Sequence, residues 1–180
     1  MVPFHRRVAE RVVAELQVDA MNRALAEYWL SLWQDEALPS RASLKPAELK
    51  TYLPNLVLFD TLPNKSVSIR LVGTYIERSL KTELTGKDWI AMAPKSYRAE
   101  RLRILSTIAR GGLGVGHRRV PCTFDQHYIC EELLLPFAEE AGGTCPVMAH
   151  VSGTSPAFVE IQSADAALGI PLDFKVIPLR

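Results

Sequence analysis

The densest grouping of reactive side chains in this sequence is Cys122, His127 and Cys130, spaced C-x4-H-x2-C, with Cys145 and His150 further along. Thiols and imidazoles are the groups zinc takes as ligands, so the first question is whether these can meet. If the chain turns over Asp125-Gln126, Cys122 falls opposite Ile129 and the two thiols point to opposite faces; a three-residue turn sets Cys122 opposite Cys130 instead. Metal binding needs the second register and a further ligand, for which Cys145 and His150 are the available residues. The tight C-x2-4-C pairs of structural zinc sites are absent. The competing reading is that these are small buried residues on strands, the usual role of free cysteine. A Cys-His nucleophile has no evident third group to orient it.

Two glycine-bearing stretches raise the question of phosphate. A P-loop needs G-x-x-x-x-G-K-[ST] between strand and helix, so that backbone N–H groups and the lysine converge on phosphate oxygens. In "GTYIERSLKTELTGKD" the glycines are too far apart, and Gly86-Lys87 is followed by Asp88. "GGLGVG", at residues 111–116, follows a helical stretch instead of leading into one, which is the wrong context for a dinucleotide fold. It reads as a helix stop and the entry to a strand.

Composition narrows the class. The 180 residues are enough for one domain with some extra, and 48% apolar with 23% charged residues is an ordinary globular balance. A formal charge of +1 offers no bulk attraction for nucleic acid or an anionic membrane. The charged start "MVPFHRRVAERVVAELQ" lacks a signal-peptide core, and no window reaches the roughly 18 apolar residues that span a bilayer. The cytoplasm is the expected location, and the odd count of three cysteines fits reduced thiols there.

The elements that would position any site follow from periodicity. Residues 6–35 lack proline and glycine, and Val8, Val12, Leu16, Met21, Leu25, Tyr28 and Leu32 recur at helical spacing. This is one long amphipathic helix or two that meet near Asp19. Trp29 and Trp33 share a face, and their stripe requires cover from the domain core or a partner chain. "ALPSRAS" is a connector in which Arg41 is expected to hold carbonyls, and Pro46 opens a short helix that Pro54 ends. "NLVLFDTL" and "SVSIRLVG" form a hairpin, with Val67, Ile69 and Leu71 alternating along the second strand. Short helices and turns follow Gly73. A longer helix then spans "SYRAERLRILSTIARGG", capped by Ser96, with Leu102, Leu105 and Ile108 on its apolar face and Gly111-Gly112 as its stop. Its arginines Arg98, Arg101 and Arg103 read as a solvated face that could meet an acidic partner. Three more strands complete the pattern, before a tail whose Phe158, Val159, Ile161, Phe174, Val176 and Ile177 could add edge strands or pack outside. Two strands, then helices, then three strands is an α+β arrangement with one antiparallel sheet and helices on one face.

That order, together with "WLSLWQDEALPSRASLKPAELKTYLPNLVLFD", "IRLVGT" and "LTGKDW", resembles the bacterial family of short stand-alone PAS-like proteins. The likeness covers residues 28–152. One departure stands out: where relatives carry a glycine and a basic-acidic pair before "LTG", this chain has Lys81, Thr82 and Glu83, and lysine enters positive φ less cheaply than glycine. The resemblance implies a five-stranded antiparallel sheet as one wall of a cavity, with the helices after Gly73 as the other. It divides the chain into an N-terminal helix (1–35) suited to dimerisation, a PAS-like domain (36–153) and a C-terminal extension (154–180).

By resemblance the ligand-binding residues would be Phe59, Leu71, Tyr75, Leu84, Trp89, Tyr97 and Leu105, with Val57, Ile69 and Leu102 nearby and Thr74 and Thr85 as polar contacts. For each of them core packing is the favoured reading, since stripes of this kind fill most cores. The stretch from Gly73 to Gly114 contains no histidine for a haem and no flavin-photosensor cysteine motif, so no cofactor is expected. The expected function is a non-enzymatic sensory or regulatory domain, homodimeric, that takes a small apolar ligand or a signalling protein partner, with no role for nucleic acid or membrane. The alternative is a small metal-binding protein or enzyme that uses Cys122, His127 and Cys130.

Overall fold

The structure is a computed structural model that describes residues 6–121, 127–153 and 170–179. The proline-free N-terminal stretch divides into two helices, α1 (Arg6–Glu15) and α2 (Ala20–Ser31), and the break falls at Asp19. There the backbone is extended and Asp19 Oδ1 accepts the Asn22 N–H at 2.8 Å, which satisfies one of the first-turn donors that a helix start leaves open. Pro46 occupies the first turn of α3 (Pro46–Leu49), where its missing N–H costs nothing. A 3-10 turn at Leu53–Asn55 leads into the hairpin β1 (Leu56–Thr61) and β2 (Val67–Val72). Then come α4 (Thr74–Leu80), α5 (Lys95–Ala109), β3 (Gly112–Pro121), β4 (His127–Pro136), β5 (Cys145–Gly153) and β6 (Ile170–Pro178).

All pairings are antiparallel, in the order β2-β1-β5-β4-β3-β6. The five expected strands are present, and a sixth extends the sheet: β6 pairs with β3 from Gly112 opposite Pro178 to Arg119 opposite Ile170. Phe174, Val176 and Ile177 thus belong to the sheet, whereas Phe158, Val159 and Ile161 lie outside the described residues.

Alternation along the strands gives the sheet two apolar faces. Leu56, Leu133, Leu135 and Met148 point to one, and α1 and α2 cover them through Val13, Leu25, Ala26 and Trp29, with Trp33 just past the end of α2. Val57, Phe59, Leu134, Val147 and Ala149 point to the other, under α5 and the segment after α4, with Leu84, Leu105 and Ile108 as the facing residues. The helices after Gly73 take one face, as expected, and the N-terminal pair takes the reverse face. This answers what covers the tryptophan stripe. Trp29 is fully buried, stands edge-on to Trp33 at 5.4 Å and donates from Nε1 to Pro136 O at 2.9 Å. The stripe is therefore satisfied within one chain, and its breadth ceases to argue for dimerisation. β6 likewise pairs with β3, and α1 and α2 pack on the same sheet.

Three local features set the shape. Arg41 bonds carboxylates and not carbonyls: Nη1 lies 2.6 Å from Asp60 Oδ1 and Nη2 lies 2.6 Å from Glu140 Oε2, which ties the connector to β1 and to the β4–β5 turn. Lys81 does enter the left-handed region, at φ 48°, as the C-cap of α4. Gly73 is held against the preceding turn, and a Cβ there would stand 2.2 Å from Pro54 O and 2.3 Å from Leu53 O. Gly73→Ala is expected to lower stability by about 1–3 kcal/mol, because backbone atoms must give way; urea unfolding with an unchanged m-value checks this.

Candidate functional site

The face beneath α5 is the one the expected site residues were assigned to. A flap, residues 81–94, closes its open side: Gly86, at φ 83°, turns the chain so that it pairs along the outer edge of β2. Gly86 N–H donates to Ile69 O at 2.8 Å, Ile69 N–H to Lys87 O at 2.9 Å, and Trp89 N–H to Val67 O at 2.8 Å. The flap thereby covers an edge that would otherwise present unpaired backbone groups. It also brings Trp89 inward, 5.5 Å from the Phe59 ring.

Phe59, Leu84 and Leu105 are buried together here, and half-buried Trp89 packs against them. Leu71 is elsewhere. The β1–β2 register runs Leu58 opposite Leu71 but Phe59 opposite Ile69, so Arg70 is an extra residue, and the bulge turns Leu71 to the face of Leu58, where it is 38% exposed. Tyr97 stands exposed on α5, and α4 packs onto this face through Ile76 and Leu80 while Tyr75 is half-buried beside them. A separate groove of about 400 Å³ at the C-terminal end of α5, lined by Thr107, Arg110, Gly111, Gly112, Val176 and Pro178, contains none of the seven residues.

Polar groups rim the same face, and the sequence reading assigned them to solvent. Arg98 and Arg101 fold back onto the flap. Arg98 donates from Nε to Ala93 O at 2.8 Å and from Nη2 to Ala91 O at 2.6 Å. Arg101 lies over the Trp89 ring, its Cζ 4.5 Å from the centroid, with Nη1 3.4 Å from Trp89 O. Burial and the neighbouring Arg118 guanidinium hold Arg101 down to about 10. Arg118 in turn forks onto Glu132, Nε to Oε1 at 2.8 Å and Nη2 to Oε2 at 2.9 Å. A signal for Arg101 was available: it precedes Leu105 by four residues and Ile108 by seven, which places it on the buried stripe of α5.

The register of β3 on β4 is neither of the two considered for the cysteine constellation. Arg119 is opposite Ile129, Arg118 opposite Cys130 and Pro121 opposite His127, so the connection is longer than a two- or three-residue turn. Cys122, the Asp125-Gln126 turn and the His127 side chain lie outside the described residues. Cys130 is buried beside Arg118 O, 3.7 Å from its Sγ, and burial together with the Glu132 charge pushes its thiol up to about 12. Such a thiol stays protonated, the opposite of what a nucleophile or metal ligand requires. Cys145 pairs with Thr61 at the far end of β5 from Gly153, the residue opposite Cys130. Among the described residues no group of three His, Cys, Asp or Glu side chains is placed to hold a metal ion.

On the reverse face a second polar cluster joins α2 to the sheet. Asn22 Nδ2 donates to Glu131 Oε1 at 2.7 Å and Ser152 Oγ at 2.9 Å, while the Asp19 N–H donates to Glu131 Oε1 at 2.9 Å. Ser152 Oγ donates to Asp19 Oδ2. His150 Nδ1 is 2.7 Å from Asn22 Oδ1. Because a carboxylate only accepts, the Asn22 nitrogen must face Glu131, so its oxygen receives the proton from His150 Nδ1.

Among the described residues no helix is long and apolar enough to cross a membrane. No curated protein matches this chain. A family model described as PAS domain matches residues 18–172, a span that begins just before α2 and ends within β6. With an antiparallel sheet whose first five strands run 2-1-5-4-3, a helical flap closing one face, and that match over most of its length, the chain belongs to the PAS domain family.

Proposed function

We propose that this protein is a non-enzymatic sensory or regulatory module that takes a small apolar ligand between the flap, α5 and the sheet. The observation that carries the reading is the gathering of Leu84 and Trp89 from the flap, which turns at Gly86, with Phe59 of the sheet and Leu105 of α5, on a face that shares its strands with the helices on the reverse side. Leu134 points to the ligand face while Leu133 and Leu135 point to α1 and α2. A ligand that shifts β4 would be felt by both, because close-packed layers transmit displacement. The N-terminal helices are the natural output to a protein partner. Native mass spectrometry and solvent extraction of freshly purified protein should find an apolar compound at a stoichiometry near one per chain. Its absence, with no thermal shift across a panel of apolar compounds, would remove the ligand and leave a protein-interaction module.

The structure changes what is expected of the N-terminal helix. Ala9, Val13 and Leu16 are buried against the chain's own core. Deletion of residues 1–20 is therefore expected to destabilise each chain, by removal of buried apolar surface, without changing its oligomeric state in solution. Light scattering beside a thermal melt checks this; halving of the mass at unchanged stability would restore the helix as a dimer interface.

A further inference from the structure

We propose that Arg101 is an anion-receiving position at the rim of the ligand face, and that the compound taken there is a small carboxylic acid whose apolar body lies along Trp89. This rests on the reading of that face as a ligand site. Arg101 lies four residues before Leu105 and seven before Ile108 on α5 and is half-buried, its guanidinium turned onto the flap over the Trp89 ring. Among the described residues no carboxylate stands within salt-bridge distance of it; Glu132, the nearby acid, is engaged by Arg118 through both oxygens. Its one hydrogen bond there is the 3.4 Å contact with Trp89 O, out of five N–H donors.

A purely structural role as a clamp on the flap is poorly served by that long contact. The clamp is already made by Arg98, whose bonds to Ala91 O and Ala93 O are 2.6 and 2.8 Å. What Arg101 has instead is an aromatic face beneath its guanidinium and, near it, a second guanidinium that repels its partly desolvated charge, a strain that a bound anion would relieve. A carboxylate matches the planar fork of donors, carries one charge, and is less strongly hydrated than phosphate. The apolar surroundings, Ile90 and Leu102 with Trp89, suit the hydrocarbon part of such a molecule.

The test compares benzoate with its neutral isostere benzamide, and both with inorganic phosphate, by ligand-observed NMR titration of the full chain. Benzoate is expected to bind tighter than benzamide by roughly tenfold or more, the usual margin for a charge-assisted pair. Arg101→Gln should abolish that margin, Arg101→Lys should keep part of it, and Arg103→Gln, an exposed position on the same helix, should keep all of it. Melting curves of each variant establish that it is folded. Equal binding of benzoate and benzamide, or a margin that survives Arg101→Gln, would overturn the anion position while leaving the apolar ligand face intact. Phosphate that competes on equal terms would overturn the carboxylate assignment. If neither aromatic compound binds although the native protein carries a neutral co-purified species, the anion position falls alone; if the protein also carries nothing, the ligand face falls with it.

Discussion

Trp29→Ala is expected to lower stability by about 3–5 kcal/mol, the range for truncation of a fully buried aromatic side chain. Trp29 has no exposed surface and sits where α2 crosses the sheet, with Leu133, Leu135, Phe137 and Met148 in the same apolar cluster. Its removal opens a cavity between two layers that cannot close without moving a helix bound at both ends: by Asp19 and Asn22 to Glu131 and Ser152, and by Tyr28, whose hydroxyl accepts the Lys45 N–H at 2.9 Å. The indole also satisfies Pro136 O, so Trp29→Phe isolates that hydrogen bond and should cost about 1–2 kcal/mol beyond the small change in volume. Denaturant unfolding of the three proteins measures both. A loss under about 1 kcal/mol for the alanine variant, the scale of a surface substitution, would show that α2 does not pack on the sheet of its own chain.

Acid should destabilise the fold through His150. The side chain is fully buried, edge-on to Tyr52 at 5.5 Å, and its Nε2 finds no hydrogen-bond partner among the described residues. Nδ1 donates to Asn22 and Nε2 is left as an unpaired acceptor, so a second proton there would place a buried charge on an atom that nothing receives. Burial accordingly holds its titration down to about 4, from an ordinary 6.5, with the Asp19 charge opposing only in part. Above pH 6.5 both folded and unfolded chains carry a neutral ring. As pH falls from 6.5 towards 4 the unfolded chain binds a proton that the folded chain refuses, so stability declines with falling pH. The full decline amounts to about 3 kcal/mol. His150→Gln keeps a donor for Asn22 and removes the titration. The difference in unfolding free energy between wild type and variant should shrink as pH falls from 7 to about 4.5, while the carboxylates common to both largely cancel. A difference that stays constant over that interval would show that His150 is solvated or already charged in the folded state.

These expectations locate what was legible in the chain. Element types came from local rules that act within a few residues. The helix break near Asp19, Pro46 in a first turn, Gly111 at a helix end and the turn between β1 and β2 are each enforced by the backbone of one short stretch and found where their residues stand, whereas Ser96, expected as a cap, lies inside α5, whose N-cap is Pro94. The strand order followed from a family likeness carried by the residues around "LTGKDW". The bulge at Arg70 was not visible, since it depends on how β2 registers against β1, and it moved Leu71 to the opposite face. The hairpin holding Cys130 was misjudged for the same reason. A pattern of alternation survives a shift of register while the partners change.

The candidate site divides in the same way. The apolar residues Phe59, Leu84, Trp89 and Leu105 were named through the family likeness, and they are packed together on one face. The charged rim could not be named that way: Arg101 and Arg118 are brought together by a helix that crosses a sheet, and Asn22, Glu131, Ser152 and His150 by the docking of an N-terminal helix on strands more than 100 residues away. Periodicity alone determined that residues 6–35 form an amphipathic helical stretch with a face needing cover, since side chains three and four apart share a side of a helix. Only the tertiary structure decided that the chain's own sheet supplies that cover. Apolar surface is non-directional, so a sequence can state how much of it must be buried but not which partner buries it.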